Sequence, residues 1–158
     1  MAADRRSEIR RAGVEDAADA ARLLHDFNTE YDEPTPPVPV LAARVRELLA
    51  KEAIVALLAG EPPAIGLALF RIRPSLWSNA NDVYLEELYV APERRGQGYG
   101  RALLQASMEA ARQAGANHFE LTTGEDDTEA RGLYESFGFT NREGSADGPR
   151  MLYYEIDL

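Results

Sequence analysis

The apolar run Val83 to Val90, VYLEELYV, is followed almost at once by Arg94 to Arg101, RRGQGYGR, and then by a helical pattern. No other stretch restricts the fold as much, because it reads as a strand that delivers the chain to a glycine loop and a helix that leaves it. Gly96, Gly98 and Gly100 lack Cβ atoms, so positive φ costs little there and a ligand can approach the main chain closely. The first amides of a helix have no intrahelical acceptor, and the helix dipole adds roughly half a positive charge at that end. Such a unit suits an anion, most naturally a phosphate or pyrophosphate. By itself, Gly-x-Gly-x-Gly suits an ordinary surface turn equally well.

The charge balance sharpens the question. The chain has 158 residues and a formal net charge of -10, yet it gathers three arginines into those eight positions. A pI near 4.7 argues against nucleic acid, whose binding rests on neutralising phosphates. It leaves room for cationic small molecules. With no cysteine, a thiol nucleophile, Cys-ligated zinc and disulfides are excluded, and the two histidines, His25 and His118, are too far apart for a helical metal site. No metal is expected. No apolar run approaches the ~20 residues of a membrane span, and the N-terminal MAADRRSEIRRAG has no apolar signal core. Cytoplasmic location is the default expectation.

The length predicts one domain over residues 1–158. Glu8 to Ala12 reads as a first strand. Val14, Ala17, Ala21, Leu24 and Phe27 recur at helical spacing, and Leu41, Val45, Leu48 and Leu49 mark a second helix. Between them, Tyr31 to Pro39 is proline-rich and reads as an extended loop. Strands are expected over residues 53–59, 64–73 and 83–90 as an antiparallel meander, a helix over 99–113, and a strand over 118–122. A further helix begins near Asp127, with Asp126 and Glu129 as a capping pair. Phe139 to Asn141 and Met151 to Asp157 read as two last strands. The pattern predicts an α+β fold, a mixed sheet of six to seven strands flanked by four helices.

Two familiar phosphate motifs do not fit the loop. Walker A ends in Gly-Lys-Ser/Thr, whereas Gly100 precedes Arg101 and Ala102; a Gly-x-Gly-x-x-Gly fingerprint counted from Gly96 ends on Arg101. The run from Leu85 to Gly100 instead resembles the acetyl-CoA motif of the GCN5-related N-acetyltransferase (GNAT) superfamily, Arg/Gln-x-x-Gly-x-Gly/Ala, here Arg95, Gly98 and Gly100. A second block, Ala130-Arg131-Gly132-Leu133-Tyr134-Glu135-Ser136-Phe137-Gly138-Phe139, is similar to the family's Ala-x-x-Leu-Tyr-x-x-x-Gly-Phe. The close match covers Leu85 to Phe139; the earlier half agrees only in its order of elements.

The resemblance implies a GNAT-like fold and direct acetyl transfer from acetyl-CoA to an amine. It implies that the backbone of Leu88, Tyr89 and Val90 holds the pantetheine arm, and that Arg95, Gly96, Gln97, Gly98, Tyr99, Gly100 and Arg101 cradle the pyrophosphate. Tyr134 is implied as the acid that protonates the departing thiolate, and a strand glutamate matching Glu86 as the base. Glu86 and Glu87 are neighbours on one strand, so alternation lets only one face the cleft; Glu86 ranks first, with Glu87 left as an acceptor contact. Family members often carry Asn at the position of Asp127, where it helps bind the cofactor; here the acid stands in an acidic run and suits a helix cap.

By the family's plan the acceptor cleft is lined by the loop after the first helix, which here holds Glu30, Tyr31, Asp32 and Glu33. Carboxylates and an aromatic there suit a cationic amine. The expected partner is a small-molecule primary amine, with a peptide or protein amine second, without nucleic acid or membrane; a homodimer is compatible. The rival reading is an acyl-CoA sensor or scaffold without turnover. Trp77, in a polar connection, is open between a surface residue and an acceptor contact.

Overall fold

The computed structural model describes residues 4–158. They divide into two compact units, one ending at Leu121 and one spanning Thr122–Leu158. The first unit contains a five-stranded sheet in the order β1-β2-β3-β4-β5, formed by β1 (Ile9–Arg11), β2 (Val55–Ala59), β3 (Gly66–Pro74), β4 (Asn81–Val90) and β5 (Ala116–Leu121). The first four strands are antiparallel neighbours and β5 is parallel to β4. The short polar turns between β2, β3 and β4 permit hairpins, whereas the parallel β4–β5 pair needs a helical crossover, supplied by α3 (Tyr99–Gln113).

β2 explains the layering. All five of its residues are buried, so both sheet faces are covered. On one face α1 (Ala17–Glu30) and α2 (Val38–Ala50) contribute Ala17, Ala20, Leu23 and Val45 to a cluster with Ala56, Leu58, Leu67 and Leu69. On the other, α3 packs against β2, β3, β4 and β5, with Leu103 and Leu104 fully buried. Burying each such leucine contributes about 1.5–3 kcal/mol. α3 has the expected bounds.

Several expectations need correction. α2 begins at Val38, inside the proline-rich stretch, with Pro39 in its first turn. A proline there forfeits nothing, because first-turn N–H groups have no intrahelical partner. In the second unit, α4 (Thr128–Ser136) is capped by Asp127, whose Oδ1 accepts from the Ala130 amide at 3.0 Å, so the cap lies one residue beyond Asp126. Among the described residues the sheet has five strands, not six to seven. Phe139 to Asn141 and Met151 to Asp157 carry strand-like composition, but their only ladder among the described residues is the bridge Arg142–Arg150, extended by the Met151 amide on the Asn141 carbonyl at 2.8 Å. Leu152, Tyr154 and Ile156 are 68%, 84% and 83% exposed. A strand exists through its partner, and apolar alternation by itself does not supply one.

Candidate active site

The glycine loop is built as a nest of free donors. Gly98 caps α3 with φ +91°, and Gly96 has φ +72° with open space where a side chain would stand. The Ala102 amide takes the Gly98 carbonyl at 3.0 Å, closing the first helical turn. The amides of Gly96, Gln97, Gly98, Tyr99 and Gly100 donate to no acceptor among the described residues. Five successive unpaired N–H groups at a helix start fit a diphosphate.

The side chains around this nest divide the work differently from the sequence expectation. Tyr99 is 2% exposed and belongs to the scaffold; its hydroxyl donates to Glu8 Oε2 at 2.8 Å and accepts from Arg94 at 3.1 Å. The guanidinium of Arg5 lies 4.8 Å from its ring centre. Only the main chain of Tyr99 is left for a ligand. Gln97 is tied at both ends, its main-chain carbonyl accepting from Arg5 Nε and its side-chain Nε2 donating to the Glu93 carbonyl at 3.4 Å. Arg95 makes a two-toothed ion pair with Glu30, each bond 2.7 Å, and donates through Nε to the Val90 carbonyl at 2.9 Å. That pairing raises the Arg95 pKa and joins the loop to the end of α1. Arg101 is exposed on the first turn of α3.

β4 approaches the loop with one edge partly open. Leu88, Tyr89 and Val90 pair with Ala68, Leu67 and Gly66 of β3, but the ladder to β5 stops at Leu85–Leu121. Beyond that point an extended ligand finds main-chain groups on the edge away from β3, as strand addition requires.

The same strand carries a bulge. Leu69 lies opposite Glu87 and Phe70 opposite Leu85, which leaves Glu86 as the extra residue. Simple alternation is thereby broken, and both Glu86 and Glu87 line one cavity of about 170 Å³ beneath α1 and α2. The expectation that only one faces the cleft is corrected. The two carboxylates differ in their surroundings. Glu86 is ion-paired with Nε of Arg71, a residue of β3 that also lines the cavity. Glu87 has no hydrogen-bond or ion-pair partner among the described residues, and burial, with the charge of Glu86 beside it, pushes its pKa up to about 7. Leu24, Leu41, Val45, Leu48, Ile54 and Leu69 form apolar walls, and Asn28, Thr35 and Arg44 complete the rim.

Of the expected acceptor contacts, only Glu87 lines this cavity. Glu30 is occupied by Arg95, and Tyr31 is 56% exposed with its ring 5.4 Å from that of Phe27. Trp77 is 89% exposed in the β3–β4 connection. Within the second unit, Tyr134 lies on α4 with its ring 5.9 Å from that of Phe139. Burial and the charge of Asp127 push its hydroxyl pKa up to about 12, so the group keeps its proton throughout the neutral range. Asp127 acts as the α4 cap.

Arg44 and Arg71 are absent from the sequence expectation. Arg71 had one signal, a cation on a strand adjacent to two acids, but the bulge that brings it to Glu86 is a property of pairing. Arg44 sits three residues after Leu41 and one before Val45, and its place at the cavity depends on how α2 lies on the sheet.

Comparison with known proteins agrees with this architecture. The model of the acetyltransferase (GNAT) family matches residues 19–139. The thialysine N-epsilon-acetyltransferase of Bos taurus is 29% identical over 152 residues, covering 86% of this chain and 87% of that protein. The matches to two further proteins of that name span only 53% and 48% of their lengths. An aminoglycoside N(6')-acetyltransferase type 1 of Stenotrophomonas maltophilia is 28% identical, covering 95% of this chain and 93% of its own. A crystal structure described as an acetyltransferase from Arthrobacter sp. FB24 superposes with a TM-score of 0.86 at 47% identity over 95% of both chains. With the glycine nest, the β4 bulge and a family match over most of its length, the chain belongs to the acetyltransferase (GNAT) family, whose relatives named here are N-acetyltransferases.

Proposed function

We propose that the protein transfers an acetyl group from acetyl-CoA directly to the primary amine of a small molecule. The observation that carries this reading is the row of five unpaired amides from Gly96 to Gly100 at the foot of α3, close in sequence to the open edge of β4. The nest fits the diphosphate, and the main chain of Leu88, Tyr89 and Val90 suits an extended pantetheine. When bound, acetyl-CoA supplies the acetyl group as an activated thioester.

The proton chemistry falls to this chain's own residues. An amine arrives protonated and must lose a proton before it attacks. Glu86 is committed to Arg71, whereas Glu87 is unpaired and its pKa near 7 matches the working pH of a general base. The base role proposed from the resemblance for Glu86 therefore passes to Glu87, with Glu86 and Arg71 holding the bulged strand. Tyr134 is the proposed acid for the departing thiolate; its raised pKa keeps the proton available. The named relatives acetylate thialysine and an aminoglycoside, both amine-bearing small molecules, which supports that acceptor class over a protein amine.

The test is release of free thiol from acetyl-CoA against a panel of primary amines, with calorimetry of coenzyme A binding alongside. Turnover with an amine supports the enzyme; binding without turnover would instead make the chain an acyl-CoA sensor. No heat with coenzyme A removes the reading altogether.

A further inference from the structure

The acceptor cavity has a charge pattern that the acidic composition of the chain does not suggest. Its carboxylates contribute little net negative charge: Glu86 is neutralised by Arg71, and burial of Glu87 favours the protonated form up to about pH 7. The acidic loop after α1 does not compensate, since Glu30 is paired with Arg95 while Asp32 and Glu33 are exposed and outside the cavity lining. Against this stands Arg44, on α2, at the rim. Arg10, Arg22, Arg71, Arg73 and Arg95 each hold a carboxylate, but Arg44 has no hydrogen-bond or ion-pair partner among the described residues. The same cavity is walled largely by apolar side chains, Leu41, Val45, Leu48, Ile54 and Leu69 among them, with Asn28 and Thr35 as neutral polar lining.

We infer that the acceptor is an amine with an apolar stem and an anionic end, such as the ω-amine of an amino carboxylate, and that Arg44 binds that anionic end. The inference rests on the proposed acetyl transfer and narrows its substrate class. A guanidinium offers a carboxylate two parallel N–H bonds, a geometry that an ammonium cannot use. A polyamine would bring its second ammonium toward Arg44 and meet like charge. The cavity, about 170 Å³, has room for a stem of several carbons.

The experiment uses 6-aminohexanoate, hexylamine and 1,6-diaminohexane as acceptors for the full chain, as wild type and as Arg44→Gln and Arg44→Glu. Arg44 is exposed, so neither substitution disturbs the core. The wild type is expected to favour 6-aminohexanoate over hexylamine at least tenfold in kcat/KM. Arg44→Gln should bring that ratio toward one, and Arg44→Glu should move the preference to the diamine. A second arm measures binding of 6-aminohexanoate by calorimetry without any acetyl donor; Arg44→Gln should weaken it about tenfold. Wild-type preference for hexylamine or the diamine, or an acceptor ratio that ignores both substitutions, overturns the inference while leaving acetyl transfer standing. Binding of 6-aminohexanoate that depends on Arg44 without turnover would support the site and sink the enzyme instead.

Discussion

Replacing Glu87 by Gln isolates the cost of ionising a carboxyl inside the cavity beneath α1 and α2. The folded-state pKa is about 7 against an ordinary 4.5, so the native protein holds this proton more tightly than the unfolded chain does. The stability it contributes is fully present below about pH 4.5 and is lost as pH rises through about 7. At 1.36 kcal/mol per pH unit the full difference would be about 3 kcal/mol. The carboxyl is only partly buried, and screening by water reduces this to about 1–2 kcal/mol. Glutamine has the same shape and cannot ionise, so it avoids the loss. Urea unfolding of both proteins at pH 5 and pH 8 should show little difference at the lower pH and a variant more stable by about 1–2 kcal/mol at the higher. The same variant should lose the rise of kcat/KM through about pH 7 and about 10²-fold or more of its activity. Equal stability of the two proteins at pH 8 would refute the buried, unpaired carboxyl, and an unchanged pH–rate profile would refute the base.

Further expectations follow from other parts of the site. Tyr134→Phe should lower kcat by about 10²–10⁴ with coenzyme A affinity, read by calorimetry, nearly unchanged; because the hydroxyl pKa stands at about 12, the wild type should show no loss of acid catalysis up to pH 10. Gly98→Ala places a side chain at φ +91° and should cost about 1–2 kcal/mol in thermal unfolding, with weaker coenzyme A binding. Tyr99→Phe removes a hydroxyl bonded to both Glu8 and Arg94 and should destabilise by about 1–2 kcal/mol in urea titration.

Much of the fold is legible because it depends on local period and punctuation. The helix from Tyr99 to Gln113 follows from its helical pattern and from the stop at Gly115, and the meander from three apolar runs with turn residues between them. The glycine loop is legible for the same reason: its conformation is written in residues that lack a side chain. The cavity is less so. Glu86 and Glu87 are visible as acids on a strand, but which of them stays unpaired depends on Arg71, fifteen positions before Glu86, and on a bulge that no alternation reveals. Arg95 shows the same limit. The family resemblance implies a phosphate contact for it, while its carboxylate partner, Glu30, comes from the far end of α1.

By itself the sequence determined the class of elements, the order of most of them and the glycine loop that precedes α3, since helical period, strand runs and glycine positions act over a few residues. The tertiary structure decided how many strands pair, which glutamate carries a raised pKa and which arginines reach the cavity beneath α1 and α2. Those outcomes turn on desolvation and charge pairing between distant segments, and such free energies exist only once packing has brought the segments together.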